Sequence, residues 1–175
     1  MAVFVGDFFH YRRHHLDHTR LLWPSHAMHH SDTNVSRLTS ASWHPINLLT
    51  MRSVGRSVML LLGFPLVAII FNSMLRAYYG FFIHADVPWT YGKWGKYFVS
   101  PAMRRRHHSS QAKAFDKNFD EFFCIFDKAF GTCYLPDPCK GPLGVHHDME
   151  PTLRGQLGYA FTPKAYVPFV KLIKR

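Results

Sequence analysis

Histidine is the residue whose placement speaks of chemistry in this chain. His14 and His18 stand i, i+4, so a helix carries both imidazoles on one face. His26, His29 and His30 stand i, i+3, i+4 and also share a face. His107 and His108 form a third group, and His84 closes the most apolar part of the chain. Neutral imidazole is a good ligand for iron, zinc, copper and nickel. Two helices that present two and three imidazoles can hold a pair of metal ions between them. A single H-x3-H arises easily by chance, but three histidines within one turn are costly to leave unpaired near lipid. His10 and His15 lie off the shared face and read as surface or interface groups. His146 and His147, in a Gly/Pro-rich stretch, read as solvated.

These side chains must be carried by defined elements. Residues 1–30 read as helical, and 31–45 as polar and turn-rich, ending in His44-Pro45. Residues 46–85 are apolar. Ser57 to Leu75 is an uncharged run of 19 residues between Arg56 and Arg76. At 1.5 Å per residue it spans roughly 28 Å, close to a bilayer core of about 30 Å. Gly63-Phe64-Pro65 interrupts it, and the other solution is a hairpin, Ile46–Leu62 going in and Pro65–Ile83 coming out. If one site draws ligands from before and after this region, the chain crosses an even number of times, which favours the hairpin. Residues 86–101, with Trp89, Tyr91, Trp94 and Tyr97 beside Lys93 and Lys96, read as an interfacial loop. Residues 102–110 read as a basic helix, and Phe119–Phe130 as a helix stopped by Gly131. Prolines and glycines after Tyr134 mark a loop. The organisation expected is one domain over 1–150 and a C-terminal tail over 151–175, amphipathic or irregular.

Composition agrees with a lipid environment. Charged residues are 18% and aromatics 16%, and the net charge is +10. That balance favours anionic partners such as phospholipid headgroups. Nucleic acid is the other anionic partner such a charge suits, and the lipid-length apolar run argues against it. Three cysteines, Cys124, Cys133 and Cys139, have no CxxC spacing, which argues against a disulfide framework and for a reducing, cytoplasm-facing setting. The first residues lack the pattern of a signal peptide.

Read in order, the motifs resemble the fatty acid hydroxylase / sterol desaturase superfamily. Asp7 through Tyr11, His14 and His18 resemble its first box, D-x-x-x-Y-x-x-H-x-x-x-H. Leu22-Trp23 through His26, His29, His30 and Ser31 resemble L-W-x-x-H-x-x-H-H-S. His44-Pro45 matches the His-Pro that opens the membrane hairpin, and Phe82 to Val87 looks like F-x-H-A-N-V. Pro101 to Ser109 resembles P-x-x-H-R-x-H-H-S. Asp116 to Phe119 and Phe126 to Thr132 resemble the closing D-x-N-[FY]-G and W-D-x-x-F-G-T elements. The resemblance implies an all-α, integral membrane, multi-pass helical bundle with a cytoplasm-facing histidine-rich metal site. It implies two iron ions, O2 as co-substrate, and hydroxylation or desaturation of a lipid. The ligands it implies are His14, His18, His26, His29, His30, His84, His107 and His108. Asp7, Asp116, Asn118 and Asp127 are candidates, by motif position, to steady the rings, while Asp17 reads as a cap or surface charge. Arg and Lys near the boxes could dock an acidic electron donor, cytochrome b5-like or ferredoxin-like.

Three positions depart from the pattern. Arg104 stands where the third box has its first histidine, and arginine cannot ligate a metal. Asp120 replaces a glycine, and Arg12 stands where tryptophan is common. Membrane helices are also usual upstream of the first box, which here begins at Asp7. The alternative left by Arg104 and the short N-terminal side is a membrane scaffold that keeps the fold with impaired chemistry.

Overall fold

The computed structural model describes residues 1–135, 141–145 and 149–166. Among them the regular structure is helical, with isolated bridges Phe98–Phe123 and Ser109–Leu143 as the only strand-like pairings. Seven α-helices follow in order: α1 Ala2–Asp17, α2 Trp23–His30, α3 Pro45–Leu61, α4 Leu66–Ile83, α5 Pro101–His107, α6 Ile125–Ala129 and α7 Leu153–Tyr159. The cysteines Cys124 and Cys133 are free thiols. Cys139, His146 and His147 lie outside the described residues.

The first thirty residues form two helices rather than one. Turn bonds from the amides of Thr19 and Leu22 close the chain between them. Pro24 sits in the first turn of α2, where its missing N–H costs nothing, whereas inside a continuous helix it would remove a backbone bond. The break folds α2 back onto α1, which brings the two early histidine sets face to face. The buried residues of α1, among them Asp7, Tyr11, His14 and Asp17, follow helical spacing along one stripe. Gly6 allows the close approach of α4, since a Cβ there would sit 2.6 Å from the Asn72 amide nitrogen.

His44-Pro45 starts α3 by a local mechanism. Nδ1 of His44 accepts from the Ile46 amide at 3.2 Å, and Pro45 occupies the first turn. The helix ends at Leu61, Gly63 takes φ 78°, and α4 begins after Pro65. The continuous span from Ser57 to Leu75 is therefore not formed, and the apolar region is an antiparallel helical hairpin. One helix, Leu66–Ile83, is long and apolar enough to cross a membrane, and only 22% of it is buried. α3, with 17 residues, is one residue short of that length. Leu66, Val67, Phe71, Met74 and Tyr78 of α4 are each at least half exposed, as are Leu49, Leu60 and Leu61 of α3. A contiguous apolar surface of this kind marks contact with lipid or a partner rather than with water.

The expected helix over Phe119–Phe130 is present only as the short α6. Upstream of it the backbone amides are taken by carboxylates instead of helical carbonyls. Asp127 accepts from the amides of Phe119 and Asp120, both at 2.9 Å. Asp7 accepts from the amides of Phe122 at 3.2 Å and Phe123 at 2.9 Å. Left-handed backbone at Asp116 and Asn118 completes the irregular path. Asp120 is not in that region, so glycine's conformational freedom is not needed at this position. The basic helix α5 starts at Pro101 under a cap in which the Ser100 hydroxyl accepts from the Met103 amide, and it stops at His107. The C-terminal segment packs on α2 through Tyr159 and Ala165 against Ala27. It is tied down by His44 Nε2, which donates to the Leu157 carbonyl at 3.1 Å.

Candidate metal centre

Eight histidines converge in two adjacent groups. His14, His18, His26, His30 and His107 each bring a ring nitrogen within 4.8 Å of the others'. His29, His84 and His108 do the same. The groups share a wall, because His29 and His30 are neighbours on α2 and the rings of His30 and His108 stack at 4.4 Å. These are the eight residues singled out by sequence, drawn from α1, α2, the end of α4 and α5. The chain before the hairpin and the chain after it meet at this point.

The rings are oriented mainly by main-chain carbonyls. Nδ1 of His14 donates to the Phe119 carbonyl at 2.8 Å, and Nδ1 of His107 donates to the Lys117 carbonyl at 2.8 Å. Nδ1 of His84 donates to the Gly80 carbonyl at 2.7 Å. A carbonyl can only accept, so in each case the proton is on Nδ1 and the Nε2 lone pair is free. Nε2 of His14, His18 and His107 is buried with no hydrogen-bond partner. Elsewhere nitrogens face one another: His26 and His30 Nε2 are 3.1 Å apart, and His84 and His108 Nε2 are 3.3 Å apart. Converging, partnerless imidazole nitrogens are a donor set that suits divalent transition metals. Burial first, then the neighbouring imidazoles, push the pKa of His14, His26, His30, His107 and His108 well below the usual histidine value, and Arg104 adds to this at His14, His107 and His108. The neutral ring is the ligating form.

The four acidic and amide candidates divide. Asp116 touches a ring directly, its carboxylate 3.2 Å from His18 Nδ1. Asp7, Asn118 and Asp127 make no hydrogen bond or ion pair with a histidine among the described residues. They hold the irregular segment that supplies the Phe119 and Lys117 carbonyls. The Asn118 side chain clasps both the N–H and the C=O of Tyr134 at 2.8 Å. Asp17, read from sequence as a cap or surface charge, is fully buried. It pairs with Arg13, accepts from Asn47 at 2.9 Å and lies 3.9 Å from His26 Nδ1. Two further residues were missed. Trp43 stacks flat on the His29 ring at 4.0 Å and 7°. His10, expected as a surface or interface group, sits largely inside, 3.5 Å from the Glu121 carboxylate. His15 is exposed, as expected.

A cavity of about 430 Å³ opens from this centre between α1, α3 and α4. His14, His29 and His84 line its buried end, and the exposed Arg52 and Arg56 line its outer part. Arg104 belongs to neither histidine group. It is buried on the cavity wall and donates to the Asp120 carbonyl, with Nε left without a partner. The Asp120 carboxyl, close to Asp127, is pushed up in pKa by burial and by that neighbour.

The fatty acid hydroxylase family model matches residues 1–132. The chain is 28% identical over 166 residues to the ornithine lipid hydroxylase OlsE of Rhizobium tropici, covering 94% of this chain and 50% of that protein. It is 26% identical over 133 residues to the alkylglycerol monooxygenase of Homo sapiens, covering 75% of this chain and 29% of that protein. The alkylglycerol monooxygenase of Danio rerio is 27% identical over 147 residues, or 83% of this chain and 32% of the relative. The chain thus spans half or less of the length of these curated relatives. No solved structure matches it. With the matched region holding all eight clustered histidines, the chain belongs to the fatty acid hydroxylase family.

Proposed function

We propose that this chain forms the metal-binding part of a membrane-embedded lipid oxidoreductase that uses O2 and two iron ions to hydroxylate or desaturate its substrate. The observation that carries the reading is the convergence of eight neutral, mostly buried imidazoles, in groups of five and three, beside a cavity. In this reading His14, His18, His26, His30 and His107 hold one ion, and His29, His84 and His108 hold the other. Bound iron would supply the oxidising power for an unactivated C–H bond. The chain's own part is positional. The carbonyls of Phe119, Lys117 and Gly80 and the Asp116 carboxylate fix ring tautomer and tilt. Trp43 stops the His29 ring from turning. The apolar hairpin faces lipid and leads the substrate to the cavity. In the same reading the metal side faces the cytoplasm and takes electrons from a cytochrome b5-like or ferredoxin-like donor.

A scaffold without chemistry is the less favoured reading. Arg104 removes one histidine of the pattern, yet the remaining eight still form two groups, and the relatives are a hydroxylase and a monooxygenase by name. The test is metal content and lipid product together. The full chain, purified in detergent, is expected to hold close to two irons, and His107→Ala is expected to lose at least one. Cells that express the chain should contain an oxidised lipid absent from cells expressing His107→Ala. A chain free of iron after purification from iron-replete cells, with no new lipid, would overturn the proposal.

A further inference from the structure

We propose that the cavity selects a lipid with an anionic headgroup, and that Arg104 is the residue that anchors it. The inference rests on the functional reading above only in taking this cavity as the substrate's. Its own ground is the charge on the walls. Arg13, Arg52, Arg56, Arg76 and Arg104 all line the cavity, and Glu121 is the one acidic residue among the described lining residues. Glu121 is already engaged by Arg76. Arg13 is paired with Asp17 and Arg76 also with Asp7.

Arg104 has no such partner. It is 2% exposed, makes no ion pair among the described residues, and bonds through one terminal nitrogen to a neutral carbonyl. Its Nε is buried and unpartnered. Of the carboxyls near enough to favour its charge, Glu121 and Asp7 pair with Arg76, Asp127 accepts from backbone amides and Thr132, and Asp120 accepts from the Asp127 amide through one oxygen and leaves the other buried without a partner. A guanidinium taken out of water without a counter-ion is costly, and its fork matches a planar or tetrahedral oxyanion. An anion that enters with the substrate supplies what the protein does not. Arg52 and Arg56, exposed and without a carboxylate partner among the described residues, give the outer cavity the same sign. At that end they favour the approach of an anionic head over a neutral one. A neutral alkyl chain would gain nothing from any of these groups. The position at which the family pattern has a histidine would then serve specificity rather than ligation.

The chemistry fits a carboxylate or a phosphate, and the experiment separates them. The full-length, iron-loaded chain in neutral detergent is titrated with an N-acyl amino acid and with its methyl ester. A second pair is phosphatidic acid and diacylglycerol. Binding is read by tryptophan fluorescence, to which Trp43 on the cavity wall contributes. The acid member of at least one pair is expected to bind about tenfold more tightly, equivalent to about 1.4 kcal/mol. The pair that discriminates names the headgroup. Arg104→Met should bring that ratio close to one. Arg104→Lys keeps the buried charge and should leave a reduced preference, which protects the test if the methionine variant does not fold. Arg52→Gln with Arg56→Gln should weaken binding of the acid and leave the neutral member unchanged, so the preference falls without disappearing. Equal binding within both pairs by the unsubstituted chain overturns the proposal. So does an undiminished preference in folded Arg104→Met, or loss of all preference in the outer double variant alone. Iron content and oxidised product are measured on the same samples. An active chain indifferent to headgroup charge refutes this inference alone, and a charge-selective chain without iron or product refutes the functional reading alone.

Discussion

Acid should dismantle the metal centre, and the size of the effect follows from the buried imidazoles. His14, His26, His29, His30, His107 and His108 are held well below the ordinary histidine pKa, chiefly by burial, and His84 is lowered to about 3. A histidine whose folded pKa is depressed favours the fold above its unfolded pKa, and that contribution is lost as pH falls. At about pH 5.5 an unfolded histidine is roughly 90% protonated, so these seven take up about six protons on unfolding. Three carboxyls act in the opposite sense. Burial raises Asp120, Asp127 and Glu121, so they are protonated more readily in the fold than out of it. Their contribution is present at low pH and lost as pH rises. They offset at most about three protons, which leaves a net uptake of about three. The metal-free chain should therefore lose at least about 4 kcal/mol of stability per pH unit near pH 5.5, where His10 and His18, also lowered by burial, add to the uptake; that is a large part of the 5–15 kcal/mol typical of a domain. Bound metal should steepen the loss, because protons and metal compete for the same nitrogens. The assay is the unfolding midpoint in detergent between about pH 8 and pH 5, with iron retention followed in parallel. A flat midpoint across that range would show that the imidazoles are solvated, and would refute the closed site.

Three further perturbations follow from single contacts. Asp17→Asn leaves the buried Arg13 guanidinium without its charge partner and should cost about 3–5 kcal/mol, read as a lowered unfolding midpoint. Trp43→Ala removes the flat stack on His29 and should cost about 3 kcal/mol. Metal analysis should then show the three-histidine group emptied before the five-histidine group. Gly63→Ala puts a Cβ on a residue at φ 78° in the hairpin turn and should cost about 1 kcal/mol, with iron binding unchanged.

Much of the fold could be read because it rests on local rules. Pro45 and Pro101 open helices where a missing N–H is harmless, and Gly63 with Pro65 turns the hairpin. The demand that histidines on both sides of the apolar region meet selects the hairpin over the single span. The failures are non-local. The helix expected from Phe119 is overridden by Asp7 and Asp127, which are distant or irregularly placed acceptors for its amides. No window around Phe119 contains Asp7. The split at Thr19–Leu22 was missed because apolar and histidine periodicity continues across it, and only Pro24 hinted at a new start.

The centre was legible to the extent that its chemistry is carried by uncommon side chains. Eight histidines in spaced sets announce themselves, and all eight fall in the two groups. What steadies them does not. Three of the ring anchors are main-chain carbonyls, which every residue possesses, so no residue type marks Phe119, Lys117 or Gly80 as partners. Asp17 was misjudged for a related reason. A carboxylate beside an arginine four residues away is the ordinary signature of an exposed helix pair, and only the fold-back of α2 buries it against His26. Motif position did better for Asp7, Asn118 and Asp127 than their assigned role did. They matter because they shape the loop that aims the carbonyls, one step removed from the rings. Substitution at these three should therefore first be felt in the tautomer and tilt of His14 and His107, with the ring nitrogens still present but misdirected. Asn118→Ala would weaken iron binding without removing a single ligand.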